Sequence, residues 1–278
     1  MAMSKLRSVL VVLATVLGVA ATSSLGFWQL RRADQKITIH ETMMARQGLP
    51  PLGNGALPCE GHDWLQAEQR HVALRGAWLA QHTIFLDNRS MDGRAGFLVL
   101  TPLKLVPVGD APGLGRCGSQ TVLVQRGWVP RDMLDRTRLP DVHSPTGEIE
   151  LVGRLVPPPS KLMDLGASEK AAGRLRQNVD VSDLSREWGL ALRPGSIQQL
   201  QPLAAAGAGH AASVPAQIRA IPGVDVDGLL RHWWQPSADV GKHQAYAAQW
   251  FAMAAVMAAL YVWFQWLKPL RARGSRSV

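Results

Sequence analysis

The stretch YAAQWFAMAAVMAALYVWFQWL, residues 246–267, contains 22 residues and no charged side chain. A helix of about 20 apolar residues crosses the hydrocarbon core of a bilayer, which is roughly 30 Å thick. The alternative, a core helix of a water-soluble protein, requires apolar surroundings on every side, and the region before this stretch is too polar to supply them. Three Trp and two Tyr residues lie towards the ends of the stretch, as in the aromatic belts of membrane proteins. The pattern therefore predicts a transmembrane helix.

A second uncharged stretch, VLVVLATVLGVAATSSLGFWQL, occupies residues 9–30. One interpretation is a cleaved signal peptide, because Lys5 and Arg7 form a basic region and residues 17–20 provide a cleavage site. However, the apolar run continues beyond that site to Trp28 and Leu30. This continuation favours a membrane anchor over a cleaved signal.

The two predicted spans divide the chain and place both termini on the same side of the membrane. Lys and Arg residues are equally frequent on both sides of the spans, so the positive-inside rule does not choose an orientation, although the cluster after residue 267 is the denser one. The predicted organisation is a tail (1–8), a transmembrane helix (9–30), a β-rich domain (31–242), a second transmembrane helix (243–267) and a basic tail (268–278).

The charge composition indicates which partners to expect. Thirty Lys and Arg residues against 21 Asp and Glu residues give a formal net charge of +9. This balance fits a protein that works beside anionic lipid. The basic residues are scattered and are not interleaved with aromatic residues, which argues against a nucleic-acid partner.

The central region is predicted to be rich in β-structure. Short runs of β-forming residues are separated by Gly and Pro clusters, which is typical of an antiparallel β-domain. A turn is expected at residues 87–89, a helix at 181–189 with Ser182 as its N-cap, and a low-complexity insertion at 202–215. The predicted fold class is therefore an α+β membrane protein in which two transmembrane helices flank a β-rich antiparallel extramembrane domain. The expected strands are 70–79, 83–86, 96–108, 121–128, 148–156 and 196–200.

Sequence signals for catalysis or nucleotide binding are weak. The G-x-G-x-x-G match at residues 113–118 precedes a predicted strand and not a helix, so we interpret it as a hairpin loop. We find no nucleophile elbow, H-E-x-x-H motif or Walker loop. Cys59 and Cys117 can form a disulfide in an oxidising compartment, but sequence does not test their geometry. The lone Cys-x-x-His at Cys59 and His62 lacks the second pair of ligands that a structural metal site needs.

Four motifs, in order along the chain, resemble those of the surfeit locus protein 1 family. Three features depart from that family's pattern: Phe97 replaces Tyr, Gln125 replaces Asn, and Ala238-Asp239-Val240 stands where Asn-Pro usually precedes His243. The four motifs are LGFWQL (25–30) with Arg32 and Lys36, Asn88-Arg89 with GFLVLTPL (96–103), VQRGWVP (124–130) and HQAYAAQWF (243–251).

This resemblance implies an assembly factor for haem-copper cytochrome c oxidase that helps to deliver or insert haem a into the catalytic subunit. It also implies a bacterial inner membrane, cytoplasmic termini, a periplasmic central domain, no enzymatic activity, and two partners: the catalytic subunit and the haem a synthesis machinery. Two other interpretations stay open. One is a cofactor-free scaffold that stabilises an oxidase intermediate, and the other is a membrane-anchored periplasmic enzyme.

The candidate site lies at the start of the second predicted span. If Lys268 marks the cytoplasmic interface, His243 lies about 37 Å away along a helix, at the outer headgroup boundary. An imidazole at membrane depth is unfavourable unless it is used, and neutral imidazole is a haem-iron ligand. We therefore expect transient haem a binding with His243 as the iron ligand. Residues 243, 246, 247, 250 and 254 share one helix face. The expected contacts are Tyr246 and Trp250 for the macrocycle, along a groove at Ala247 and Ala254, and Lys242, Arg31 and Arg32 for its propionates.

Each of these residues also has a simpler interpretation. His243 could be a hydrated interfacial histidine, and Trp250 an aromatic anchor. The small residues Ala247 and Ala254 could instead pack against the first span, where Gly18 and Gly26 are small. In the β-domain, we expect the Trp128 indole in the core and the Arg126 guanidinium in an internal ion pair.

Overall fold

The computed structural model describes residues 2–107, 117–135, 138–163, 173–201, 225, 227–234 and 239–268. The chain forms two compact units, one made of Met1–Thr42 with Gln235–Val278 and the other of Met43–Trp234. The predicted insertion at 202–215, most of the G-x-G-x-x-G segment and the basic residues after Lys268 lie outside the described residues. The predicted domain boundaries stay predictions.

The described structure contains four α-helices, seven strands and two 3₁₀-helices, Asn54–Ala56 and Ala80–His82. The helices are α1 (Ala2–Gln47), α2 (Gly61–Gln66), α3 (Val181–Trp188) and α4 (Gly241–Val262), and α4 continues as a π-helical turn over Trp263–Leu267. The strands are β1 (His71–Trp78), β2 (Ile84–Met91), β3 (Arg94–Leu105), β4 (Thr121–Pro130), β5 (Glu148–Val156), β6 (Leu175–Arg176) and β7 (Leu192–Gln199).

Helices α1 and α4 form the first unit, and both are long and apolar enough to cross a membrane. Only 11% of the most apolar window of each helix is buried. Such a large exposed apolar surface is unfavourable in water and favourable in lipid. Thr15 and Thr22 do not break α1, because each hydroxyl donates to the carbonyl four residues earlier. The predicted pair of long apolar helices on either side of a sheet-containing domain is confirmed.

The second unit contains a closed β-barrel. Strands β1, β5, β7, β4 and β3 are hydrogen-bonded in that order, and β3 pairs again with β1 to close a ring of five strands. Strands β2 and β6 extend the sheet beyond β3. Most pairings are antiparallel, as predicted, but β4–β7 and β2–β6 are parallel. The order is that of a five-stranded Greek-key barrel such as the OB-fold.

Strand β4 is covered on both faces, which explains its continuous apolar run. Val122 and Val124 belong to a core cluster with Trp64 and Ile197. Leu123 points to the opposite face and belongs to a second cluster, which includes Leu184 of α3. Because side chains alternate along a strand, a strand covered on both faces has no polar face for sequence analysis to detect.

Two local predictions were wrong in detail. The tight turn of the β2–β3 hairpin lies at Asp92-Gly93, where both residues have positive φ, as Asp-Gly hairpin turns require. The segment predicted as the turn contains a bulge in β2, where Asn88 has φ of 58°. Helix α3 is capped by Asp180 and not by Ser182, because the Asp180 carboxylate accepts from the Ser182 backbone N–H. Its C-terminal Gly189 adopts the left-handed conformation.

Cys59 and Cys117 form a disulfide, with a Cα–Cα distance of 5.2 Å. The bond joins the segment before α2 to the segment before β4. Sequence left this pairing open, because the two cysteines are 58 residues apart and only the folded barrel brings them together. The sulfur of Cys59 is therefore part of a structural disulfide.

Candidate functional site

The site begins where α4 begins. Asp239 accepts a hydrogen bond from the Gly241 backbone N–H at 3.0 Å through its Oδ1 atom, and the first helical bond runs from the Gln244 N–H to the Val240 carbonyl. His243 is thus the third residue of α4 and lies in its first turn.

His243 contacts α1 through Gln29. The Nδ1 atom of His243 lies 2.8 Å from the Oε1 atom of Gln29, and both side chains are half-buried. An amide oxygen only accepts hydrogen bonds. A neutral ring with its proton on Nδ1 would therefore donate to this oxygen and carry its lone pair on Nε2.

Two further contacts fix the antiparallel register of α1 and α4. Gly26 lies beneath the ring of Phe251, and Gly18 lies beneath Met257. Phe27 also meets Phe251 edge to face, with ring centroids 5.2 Å apart. Residue numbers thus rise along α1 as they fall along α4, so the Gln29–His243 pair follows directly from this packing.

The two alanines on the His243 face are buried. Ala247 and Ala254 are 2% and 7% exposed, and they share their face with Met257, whose side chain reaches Gly18 of α1. The open groove that we expected along these alanines is therefore absent. The alternative interpretation, that the small residues pack in the helix pair, agrees with this burial.

The two predicted aromatic residues lie beside this buried seam. Trp250 is half-buried, whereas Tyr246 is 54% exposed. At about 100° per residue, both lie within about 60° of His243 around α4, on the side away from Phe251.

The structure separates the three predicted cations. Arg31, Arg32 and Lys242 are all exposed, and Arg32 donates to Gln35 at 3.2 Å. Helical rotation places Arg32 about 60° from Gln29 but Arg31 about 160° from it. Because the helices are antiparallel, Arg32 and Lys242 lie on the side of Tyr246 and Trp250, while Arg31 lies on the far side of α1. Helical rotation thus places two of the three cations on the side of His243.

The axial order of these residues is also informative. Arg32 and Lys242 lie beyond the Gln29–His243 pair towards the polar end of the helices, whereas Tyr246 and Trp250 lie about 4.5 and 10 Å in the opposite direction, along the apolar part of α4. The order along the helix pair is cations, imidazole, then aromatic rings. This order suits an elongated ligand with an anionic end and a flat apolar body.

Gln29 is the site residue that the sequence-based prediction missed. It belongs to the LGFWQL motif and is the only polar amide in the uncharged stretch 9–30. A polar side chain in an apolar span is a functional candidate by itself. Its partner was not predictable, because pairing it with His243 requires the register of two helices more than 200 residues apart.

In the barrel, Arg126 forms a different set of contacts from the one predicted. Its guanidinium donates to the Ser144 hydroxyl and the His143 carbonyl, each at 2.6 Å, and stacks over Trp78. The predicted internal ion pair is wrong for the part of the barrel that the structure describes, where these acceptors are uncharged. Burial lowers the pKa of Arg126 to about 10, and Asp227 opposes this shift, so the group stays charged at neutral pH. We therefore assign Arg126 a structural role in the barrel.

The predicted core position of Trp128 is confirmed. Its indole is buried, and its Nε1 atom donates to the Arg89 carbonyl at 2.8 Å. Gly96 lies directly beneath the ring, where a Cβ atom would overlap with the indole. These two motif residues therefore serve the core of the barrel.

Comparison with known proteins gives matches over most of the chain. A sequence model of the SURF1 family matches residues 16–255. Cytochrome oxidase assembly protein SHY1 of Saccharomyces cerevisiae is 31% identical over 171 residues, which cover 59% of this chain and 40% of the yeast protein. Surfeit locus protein 1 of Arabidopsis thaliana is 31% identical over 123 residues, which cover 43% of this chain and 33% of the plant protein. Each match thus spans less than half of the relative's length.

Proposed function

This chain belongs to the SURF1 family, and from that premise we propose that it acts in the assembly of cytochrome oxidase as a membrane-anchored protein that holds haem a transiently. The printed name of the yeast relative supports the assembly role. The observation that carries the haem proposal is the position of His243: a half-buried imidazole in the first turn of an apolar helix, with Nδ1 in contact with Gln29.

The residues at this site fit haem as a cargo. The iron of a haem needs only one or two protein ligands, because the macrocycle supplies the others. The Nε2 atom of His243 would supply such a ligand. The exposed Tyr246 and half-buried Trp250 would contact the apolar body, and Arg32 and Lys242 would neutralise the propionates. Arg31, on the far side of α1, has no role in this proposal.

The haem itself would carry the redox chemistry of the mature oxidase, and this chain would only hold it. A single histidine ligand suits a carrier, because the cargo must also leave. Its partners would be the catalytic subunit of the oxidase, which receives the haem, and the haem a synthesis machinery, which supplies it. We propose no enzymatic reaction for this chain.

We propose a bacterial inner membrane as its location, with α1 and α4 as the two spans, both termini in the cytoplasm and the barrel in the periplasm. The Cys59–Cys117 disulfide supports this orientation, because disulfides persist in the periplasm and are rare in the cytosol. The candidate site would then lie at the outer surface of the membrane, since α4 begins at Gly241 on the side of the barrel sequence.

The test is the pigment content of the full chain, purified in detergent from cells that make haem a. We expect haem in the wild-type protein and its loss in His243→Ala, while the oxidase catalytic subunit still copurifies with both. His62→Ala is the matched control, because His62 is exposed and, among the described residues, forms a hydrogen bond with Gln66 of its own short helix.

The other outcomes discriminate between the hypotheses. Equal haem in the wild type and in His243→Ala would remove His243 from the proposal. Colourless wild-type protein that copurifies with the catalytic subunit would support a cofactor-free scaffold. Two results together would overturn the assembly role: wild-type protein that carries neither haem nor the catalytic subunit, and normal oxidase in cells that lack this chain.

A further inference from the structure

We propose that Gln29 is a positioning residue that selects the tautomer of His243 and so prepares Nε2 to bind the haem iron; this inference rests on the proposed function. The geometry is the 2.8 Å contact between Gln29 Oε1 and His243 Nδ1. Because the oxygen only accepts, the contact requires a proton on Nδ1. In a neutral ring, that proton leaves Nε2 unprotonated.

The helix packing holds the Gln29 side chain in place. Gly26, one turn earlier on α1, lies beneath the ring of Phe251. Thr22, two turns earlier on the face of α1 that meets α4, is 8% exposed. The amide therefore approaches α4 from a fixed backbone position. His243 lies in the first turn of α4, next to a segment where Asp239 accepts from the Gly241 backbone N–H. Neither partner needs a large rearrangement to maintain the bond.

A neutral amide is well suited to this role. Histidines that bind a metal generally donate their other ring N–H to an acceptor, which fixes the tautomer and the ring orientation, and loss of that acceptor typically weakens metal affinity by about 10–100-fold. A glutamine provides such an acceptor without placing a charge in an apolar segment, where a carboxylate would be unfavourable. The structure thus contains the acceptor that a histidine ligand would need.

The Gln29–His243 bond also makes the site depend on the packing of α1 against α4. Gln29 is on α1 and His243 is on α4, so the ligand nitrogen is presented correctly only when the two helices are packed.

The first experiment measures the tautomer directly, without haem. The full chain, labelled with ¹⁵N-histidine and solubilised in detergent, is studied by long-range ¹H–¹⁵N NMR at about pH 8.5, where an ordinary histidine is neutral. His243→Ala identifies the signal among the eight histidines. We expect the Nδ1–H form to dominate in the wild type and its ratio to the Nε2–H form to fall roughly tenfold in Gln29→Leu, as expected for the loss of one hydrogen bond.

Two other variants complete the test. Gln29→Glu keeps an acceptor and should restore the Nδ1–H form even if Gln29→Leu alters the packing. Gln244→Leu is the matched control, because Gln244 is exposed and is next to His243 in sequence, and it should leave the tautomer unchanged. Wild-type protein with a dominant Nε2–H form, or the same tautomer in Gln29→Leu as in the wild type, would overturn the inference.

A haem titration then separates the two proposals. We expect Gln29→Leu to bind added haem about 10–100-fold more weakly than the wild type, and Gln29→Glu to bind nearly as well. An unchanged tautomer together with haem binding that depends on His243 contradicts only the role of Gln29. The expected tautomer shift in a wild-type protein that binds no haem contradicts the proposed function, and leaves the contact as a structural bond between the helices.

Discussion

The ring of Phe251 on α4 lies over Gly26 on α1, so closely that a Cβ atom on Gly26 would come within 2.7 Å of the ring. On α1 this contact is about one helical turn from Gln29, which contacts His243 of α4 at 2.8 Å. A second glycine, Gly18, lies beneath Met257 with more room, since its Cβ would be 3.1 Å from the sulfur. The difference between the two glycines can be tested.

Gly26→Leu should push α4 away and break the Gln29–His243 bond, because the added side chain overlaps with Phe251. We expect a loss of about 1–3 kcal/mol from overpacking and faster reaction of His243 with a histidine-modifying reagent in the detergent-solubilised chain. Gly18→Ala is the control and should have little effect, because a flexible methionine can move aside. Equal reactivity of His243 in all three proteins would contradict the proposed packing.

Arg32→Ala should weaken haem retention more than Arg31→Ala, because only Arg32 lies on the side of His243. An exposed ion pair contributes up to about 1 kcal/mol, so we expect a two- to fivefold rise in the haem dissociation constant for Arg32→Ala and no change for Arg31→Ala. Haem titration at low and high salt measures the dissociation constants of both variants, and the difference between Arg32→Ala and the wild type should shrink at high salt. A larger effect of Arg31→Ala would place the propionates elsewhere.

Reduction of the Cys59–Cys117 bond should destabilise the barrel by about 2–4 kcal/mol, because the bond closes a long loop. The measurement is thermal unfolding of the full chain with and without reductant. The double variant Cys59→Ala with Cys117→Ala should unfold at the temperature of the reduced protein and should not respond to reductant. Alkylation of intact cells before lysis adds a test of compartment: free thiols at both positions would contradict a periplasmic barrel.

Gly195→Ala should destabilise the barrel because Gly195 lies against the buried indole of Trp64, where a Cβ atom would overlap with the ring. The indole cannot move easily, since its Nε1 atom donates to the Val156 carbonyl at 3.0 Å. We expect a loss of about 1–3 kcal/mol in thermal unfolding. Gly53→Ala is the matched control, because no atom lies within 4 Å of its added Cβ; a similar loss in both variants would contradict this assignment.

Asp180 should make the barrel less stable in acid. Its hydrogen bonds with Ser182 and Lys161 hold the pKa of its carboxyl well below the usual value. A carboxyl with a lowered pKa in the folded state contributes stability that is present above the unfolded pKa, near 4, and is lost as the pH falls towards the folded value. Asp180→Ala should therefore be less stable than the wild type at pH 7, by about 1 kcal/mol for a lost N-cap.

The pH dependence separates the charge of Asp180 from its hydrogen bond to the helix. Asp180→Asn keeps a capping oxygen but no charge, so the difference between wild type and Asp180→Asn should be present at neutral pH and should shrink below about pH 4. Chemical denaturation of the full chain at several pH values measures this. A difference that is independent of pH would contradict the role of the carboxylate.

Local sequence signals were sufficient wherever one segment determines its own structure. The uncharged runs predicted α1 and α4, because the length and composition of a membrane helix are local properties. The β-rich runs and the Gly189 helix end were also predictable. The turn at Asp92-Gly93 was missed because Asp87-Asn88 looked equally turn-like, and only the strand register shows which pair closes the hairpin.

The site was predictable in part for the same reason. His243, Tyr246 and Trp250 share a helix face, and the period of one helix is enough to see that. The sequence left two interpretations of Ala247 and Ala254, an open groove or packing against the first span, because their burial depends on the opposite helix. Similarly, the sequence does not distinguish Arg31 from Arg32, although helical rotation separates them once the contact face of α1 is known.

The sequence by itself determined that the chain has two apolar helices, a β-rich region between them and a histidine at the start of the second helix, since composition and periodicity act over short distances. Only the tertiary structure decided that β3 pairs with β1 to close the barrel, that Cys59 meets Cys117, and that Gln29 bonds to His243. Each of these contacts joins residues far apart in the chain, and its formation depends on packing many other residues at once.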